Sequence, residues 1–148
     1  MPVFNEEQLL RENMERLLQF CRDQNFRLEW RIVILLNGCT DNSLSIAHCL
    51  SKEYPEIFYV NRKEGGKGRA LSQYWKDSAS DILFYMDIDL AVSLKHIPEF
   101  LESLKDNDLV VGSRLLPDSK VERSFIRGIS SKGFCQRPRI VLSRVLCP

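Results

Sequence analysis

The sequence predicts an α/β fold, a mostly parallel sheet flanked by helices. Three observations lead there. Short apolar runs alternate along the chain with stretches whose apolar residues recur at helical spacing. The run Ile32 to Leu36 is solidly apolar, as in a strand covered on both faces, where a half-exposed strand would alternate. Polar or glycine-bearing loops then follow the predicted strands, at Asn37, Gly65, Asp87 and Gly112. Strand–helix alternation of this kind builds parallel sheets. At 148 residues the chain has the length of one domain with a substantial core.

Taken in order, Pro2-Val3-Phe4 supplies the end of a first strand. Asn5 has Gln8 three residues on, the pattern of a capped helix start. Leu10, Met14, Leu17, Leu18 and Cys21 then continue at helical spacing and predict a helix to about Asn25. Arg31 to Leu36 is the second strand, and the turn formers Asn37 to Asn42 lead into a helix from Ser43 to about Glu53. Ile57 to Asn61 is the third strand. The turn Gly65-Gly66-Lys67-Gly68 opens a helix from Arg69 to about Ala79. Ile82 to Met86 predicts a buried fourth strand ending on Asp87 and Asp89. Pro98 suits the first turn of a helix to about Lys105. Asp108 to Val111 predicts a fifth strand before Gly112-Ser113-Arg114. Ligands of parallel sheets bind beyond the carboxyl ends of the strands, so the loops at Asn37, Gly65, Asp87 and Gly112 can line one crevice.

Composition narrows the function. An apolar content of 44% and a charged content of 28% are those of a soluble globular protein. A net charge of +1 gives no case for a nucleic-acid partner. No apolar run exceeds the five residues of Ile32 to Leu36, too few to span a bilayer. The N-terminus lacks the basic-then-apolar pattern of a secretory signal. Five cysteines, an odd number without a Cys-x-x-Cys pair, predict reduced thiols in a cytoplasmic setting. His48 and His96 are too far apart in sequence to suggest a histidine metal site. From Lys120 onward, Arg123, Arg127, Lys132, Arg137, Arg139 and Arg144 face Glu122 alone. The chain therefore divides into a core, residues 1–116, and a basic segment, 117–148. By composition that segment is a solvated tail, or a surface for a phosphate or an anionic membrane.

Asp87 and Asp89 carry the clearest chemistry. In an extended segment positions i and i+2 share a face, so both carboxylates can converge on one small volume. Adjacent carboxylates repel unless a cation separates them, and Mg²⁺ or Mn²⁺ suits such oxygen ligands, with phosphate oxygens completing its shell. The same pattern also fits turn and capping residues. Lys67 sits among glycines that let backbone approach a ligand closely. No Ser or Thr follows it, so it is not a Walker loop. Asp41 is open to a turn or capping role.

In order, the motifs are Pro2-Val3-Phe4-Asn5-Glu6-Glu7, Asn37-Gly38-Cys39-Thr40-Asp41-Asn42-Ser43, Gly66-Lys67-Gly68-Arg69-Ala70-Leu71, Asp87-Ile88-Asp89-Leu90 and Gly112-Ser113-Arg114. This set resembles the family 2 glycosyltransferases of GT-A fold, and among them the dolichyl- or polyprenyl-phosphate mannose and glucose synthases. The likeness runs from residue 2 to about 134. It implies an inverting transfer of a hexose from a nucleoside diphosphate sugar to a polyprenyl phosphate. It further implies catalytic roles for Asp89 and Arg114, and a Mg²⁺ or Mn²⁺ ion on Asp87 and Asp89. Pro2, Phe4, Glu6, Asn37, Asp41, Lys67 and Asp87 would bind the nucleotide sugar, and Arg123 and Arg127 the acceptor phosphate. The setting implied is the cytosolic face of a membrane, peripherally bound, with no obligate protein partner.

The chain departs from that family in places. Leu36 and Asn37 stand where two acidic residues are usual, and Cys39 where serine is usual. The first strand is short, and the likeness fades after Phe134, which suggests a donor-binding half with a clipped strand and end. Three other readings follow from the residues: a sugar-nucleotide-binding unit without turnover, transfer to a sugar hydroxyl, which needs a base carboxylate, and a nucleotidyltransferase built on the Gly66-Lys67-Gly68 loop.

Overall fold

A computed structural model of the chain describes residues 1–112. The chain divides into a unit Met1–Leu94 and a second unit beginning at Lys95. In the first, three strands, β1 (Pro2–Val3), β2 (Ile32–Asn37) and β3 (Ile57–Arg62), form a parallel sheet in the order β1-β2-β3. Pro2 pairs with Leu35 and Val3 with Leu36, while β2 and β3 run in register from Ile32 opposite Ile57 to Asn37 opposite Arg62. Val3, Asn37 and Arg62 therefore finish at one edge of the sheet.

The connections are helices: α1 (Leu10–Asp23), α2 (Ser43–Glu53) and, after β3, α3 (Lys67–Asp77). α1 packs on α2, α2 on β3 and β2, and α3 on β1 and β2. Leu10, Met14, Leu17, Leu18 and Cys21 of α1 are buried, the stripe that the helical spacing predicts. Ile34, Leu35 and Leu36 are buried in succession, so the central strand is covered on both faces. This is the α/β architecture expected. Burying side chains such as Leu10, Met14 and Leu36 stabilises the unit by roughly 1.5–3 kcal/mol each, before conformational entropy is set against it.

Three expectations are corrected. The first helix starts at Leu10, because Asn5 takes a left-handed φ of 54° and turns its side chain to another loop instead of capping. Ile82 to Met86 forms no strand, and Ile82, Leu83, Phe84 and Tyr85 are 36–42% exposed. An apolar run records a demand for burial but not the ladder partner that would meet it. The short edge at β1 offers only Pro2 and Val3, and Pro2 has no N–H. Asp108 to Val111 likewise forms no strand, and Leu109 and Val111 are exposed.

In the second unit α4 (Ile97–Ser103) carries Pro98 in its first turn, as predicted. Its Phe100 ring lies against Gly112, where an added Cβ would come within 2.9 Å of Phe100 Cζ. A side chain there would oblige the Phe100 ring to shift. Ser113 and everything beyond it, including the basic segment 117–148, Arg114, Arg123 and Arg127, lie outside the described residues.

Candidate active site

Where the strands of the first unit end, three segments meet. Residues 4–7 follow β1, residues 37–43 follow β2, and the glycine turn at 65–66 follows β3. Asn37 holds them together. Its Nδ2 donates to the Val3 carbonyl at 2.6 Å, and its Oδ1 accepts from the Gly66 amide at 3.3 Å. Gly38 adopts φ 77°, and a Cβ there would fall 3.0 Å from the Gly65 nitrogen. Both the left-handed backbone and the contact demand glycine. The Cys39 thiol donates to the same Val3 carbonyl at 3.4 Å.

A second network joins 4–7 to 37–43. Asn5 Oδ1 accepts from the Thr40 amide at 2.8 Å, and Asp41 accepts from the Glu7 and Ser43 amides, each at 3.0 Å. Glu7 returns a bond by accepting from the Asn42 amide at 2.9 Å, and the Glu6 amide donates to the buried Ser43 hydroxyl at 3.0 Å. Desolvation works to raise the Asp41 carboxyl. The hydrogen bonds from Ser43 and Glu7 outweigh it and hold the group below its ordinary range.

The product is a cleft of about 330 Å³ lined by Pro2, Phe4, Glu6, Asn37, Lys67, Asp87, Ile88 and Asp89. All but Ile88 are residues singled out in the sequence. Asp41 does not line it; it faces a neighbouring hollow of about 320 Å³ with Asn5, Glu6, Glu7, Gln8 and Leu9. Phe4 is 56% exposed, an apolar ring available to a ligand. Asn37 reaches the cleft with its amide already engaged by backbone.

Opposite charges meet on one wall. Lys67, the first residue of α3, pairs its ammonium with Asp87 Oδ1, which also accepts from the Tyr85 hydroxyl at 2.7 Å. The ammonium lies 5.3 Å from the centre of the Tyr85 ring. The bond to Asp87, then that to Tyr85, raises the Lys67 pKa, so the lysine stays charged. Burial pushes the Tyr85 phenol up, and the downward pull of Lys67 is offset by Asp87.

Asp87 and Asp89 flank a turn, not a strand end. Leu90 has φ 48°, the Leu90 amide donates to the Asp87 carbonyl at 3.3 Å, and the Ala91 amide to Asp89 Oδ1 at 3.1 Å. Both carboxylates nonetheless line the cleft. Among the described residues no three or more His, Cys, Asp and Glu side chains gather as a metal cage. Asp87, paired with Lys67, and Asp89 are the residues that could hold a divalent ion, whose remaining ligands would be water and phosphate oxygens.

Asn5, read as a helix cap, and Ser43 and Tyr85 contribute to this geometry without having been singled out as site residues, as does Asn13, whose Nδ2 donates to the Ile88 carbonyl. For Asn13 a signal exists, a polar residue at an apolar position of the α1 stripe. For Tyr85 there is none, since it sits inside the apolar run.

A parallel sheet with a charged cleft beyond its strand ends is the class of α/β domain that takes its ligand at the carboxyl edge. Residues 1–142 match the family described as Glycosyl transferase family 2, and the chain belongs to that family. It is 29% identical over 149 residues to glycosyltransferase AglD of Haloferax volcanii, covering 96% of this chain and 23% of that protein. It is 28% identical over 145 residues to dolichyl-phosphate beta-glucosyltransferase ALG5D of Trichomonas vaginalis, covering 90% of this chain and 44% of the relative. Identity is 26% over 117 residues to an undecaprenyl-phosphate 4-deoxy-4-formamido-L-arabinose transferase of Proteus mirabilis, covering 77% and 35%. The chain thus spans less than half the length of each of these relatives. Among the described residues no helix is long and apolar enough to cross a membrane.

Proposed function

We propose that residues 1–112 carry the donor site of a glycosyltransferase that moves a hexose from a nucleoside diphosphate sugar to a polyprenyl phosphate, inverting the anomeric centre. The observation that carries this reading is the cleft, which brings Pro2, Phe4, Glu6, Lys67, Asp87 and Asp89 together from three separate segments. Two relatives bear names that specify dolichyl-phosphate and undecaprenyl-phosphate, which supports the acceptor class. The family assignment removes the nucleotidyltransferase reading.

The exposed Phe4 ring suits stacking on the nucleotide base, and the Glu6 carboxylate suits a ribose hydroxyl. Lys67 supplies fixed positive charge for the diphosphate, and a phosphate draws it from Asp87 by offering more negative charge. Asp87 and Asp89 would hold Mg²⁺ or Mn²⁺, which when bound supplies charge neutralisation of the leaving diphosphate. A phosphate acceptor is already ionised near neutral pH, so the attack needs no strong general base. Arg114, Arg123 and Arg127 are the residues proposed to meet the donor and acceptor phosphates, and the polyprenyl acceptor puts the work at a membrane surface.

Titration of the chain with GDP and UDP, with and without Mn²⁺, tests the reading. Asp89→Ala is expected to lower the metal-dependent affinity by about tenfold or more, a loss typical of a removed charged contact. Equal affinity of the unmutated chain with and without Mn²⁺ overturns the metal assignment, and no affinity in either condition overturns the donor site.

A further inference from the structure

One position of the buried stripe of α1 is polar. Asn13 lies among Leu10, Met14, Leu17 and Leu18 and is itself only 8% exposed. An amide in that setting destabilises the fold unless it is hydrogen-bonded. Its Nδ2 donates to the Ile88 backbone carbonyl at 2.9 Å, a buried bond between residues 75 apart in sequence. Ile88 separates the two carboxylates and is itself only 5% exposed. The turn it belongs to is strained, since Leu90 holds a left-handed φ of 48° that a leucine adopts only where its surroundings over-determine it. The Leu90 and Ala91 amides supply two of the constraints, to the Asp87 carbonyl and Asp89 Oδ1. Lys67 and Tyr85 reach the Asp87 carboxylate from outside the turn, and Asn13 reaches its backbone, at the Ile88 carbonyl.

We propose that Asn13 is a positioning residue: through the Ile88 carbonyl it fixes the turn that aims Asp87 and Asp89 into the cleft. The functional consequence rests on the donor-site reading above; the mechanical one does not. α1 and the acidic turn are separate elements of the chain, and this bond makes the direction of the carboxylates depend on the docking of α1. The substitution Asn13→Leu makes the helix face wholly apolar, keeps the branched shape of the side chain and removes the donor. Asn13→Asp keeps the shape and turns a carboxylate oxygen toward the carbonyl.

Amide hydrogen exchange on the 148-residue chain, read residue by residue, tests the mechanical part. In both variants the Leu90 and Ala91 amides are expected to exchange about tenfold faster, while Ile34 and Leu35 in β2 keep their protection. Titration with GDP or UDP and Mn²⁺ is the second measurement, expected to show affinity lowered by about tenfold in Asn13→Leu even where its melting temperature equals that of the unmutated chain. Unchanged exchange at Leu90 and Ala91 overturns the proposal, as does equal acceleration across turn and β2, which would make Asn13 a packing residue only. If Leu90 and Ala91 loosen selectively while no form of the protein binds a nucleoside diphosphate, positioning stands and the donor-site reading fails.

Discussion

The side chain of Asn37 faces a carbonyl and an amide at once, and only a carboxamide satisfies both. An aspartate at this position keeps the bond from Gly66 but sets a carboxylate oxygen against the Val3 carbonyl, which Nδ2 now meets at 2.6 Å. Asn37→Asp is therefore expected to destabilise the fold by about 2–3 kcal/mol near neutral pH, the cost of a buried unsatisfied charged group. The fold would raise that carboxyl above its unfolded value of about 3.9, so the penalty is absent below that pH and grows as pH rises above it. Urea unfolding at about pH 4 and near neutrality checks this, and a pH-independent loss would contradict it. Asp41 runs the other way. Its carboxyl is held below the ordinary 3.8, so its contribution is present above that value and lost as pH falls through the lower folded value. Asp41→Asn should melt below the unmutated chain at neutral pH, with the gap closing under acid conditions; a gap that persists there would mean that charge is not the cause.

Among the elements, α1 can be followed by its own thiol. Cys21 is buried in the stripe, and burial pushes its thiol up to about 11, whereas Cys49 on α2 is exposed. Under native conditions iodoacetamide should modify Cys49 and spare Cys21, with Cys21 reacting only as α1 undocks or the unit unfolds. Peptide mapping by mass spectrometry over a denaturant series checks it, and equal rates at the two thiols in native buffer would show α1 loosely held. The α1 stripe was legible because five apolar residues recur at helical spacing, and β2 because a continuous apolar run has few alternatives in a parallel sheet. Where α1 begins was not, because Asn5 is as good a loop residue as a cap and the choice is made by Thr40, 35 residues away. Ile82 to Met86 was misread for a related reason, since strand-like composition is local and a ladder partner is not.

At the scale of the molecule, the cleft was legible in its residue set more than in its geometry. Pro2, Phe4, Glu6, Asn37 and Lys67 converge because parallel strands end at one edge and their loops must follow, whereas Asp87 and Asp89 reach the same cleft from a turn that no strand precedes. That Asp41 stays outside, that Asn37 is spent on backbone, and that Lys67 and Tyr85 share Asp87 depend on side-chain pairings that no spacing encodes. The run that failed as a strand has its own consequence. Ile82 and Leu83 are 42% and 36% exposed in a stretch of high β-propensity and no charge, the pattern that drives intermolecular pairing. Ile82→Lys places a charge where apolar surface is already wet. It is expected to slow concentration-dependent aggregation, read by light scattering, while moving the melting temperature by no more than about 2 °C, as for a substitution worth under about 0.5 kcal/mol. A fall of about 8 °C or more would show that Ile82 is buried against a partner in solution, and would restore the fourth strand that its sequence predicts.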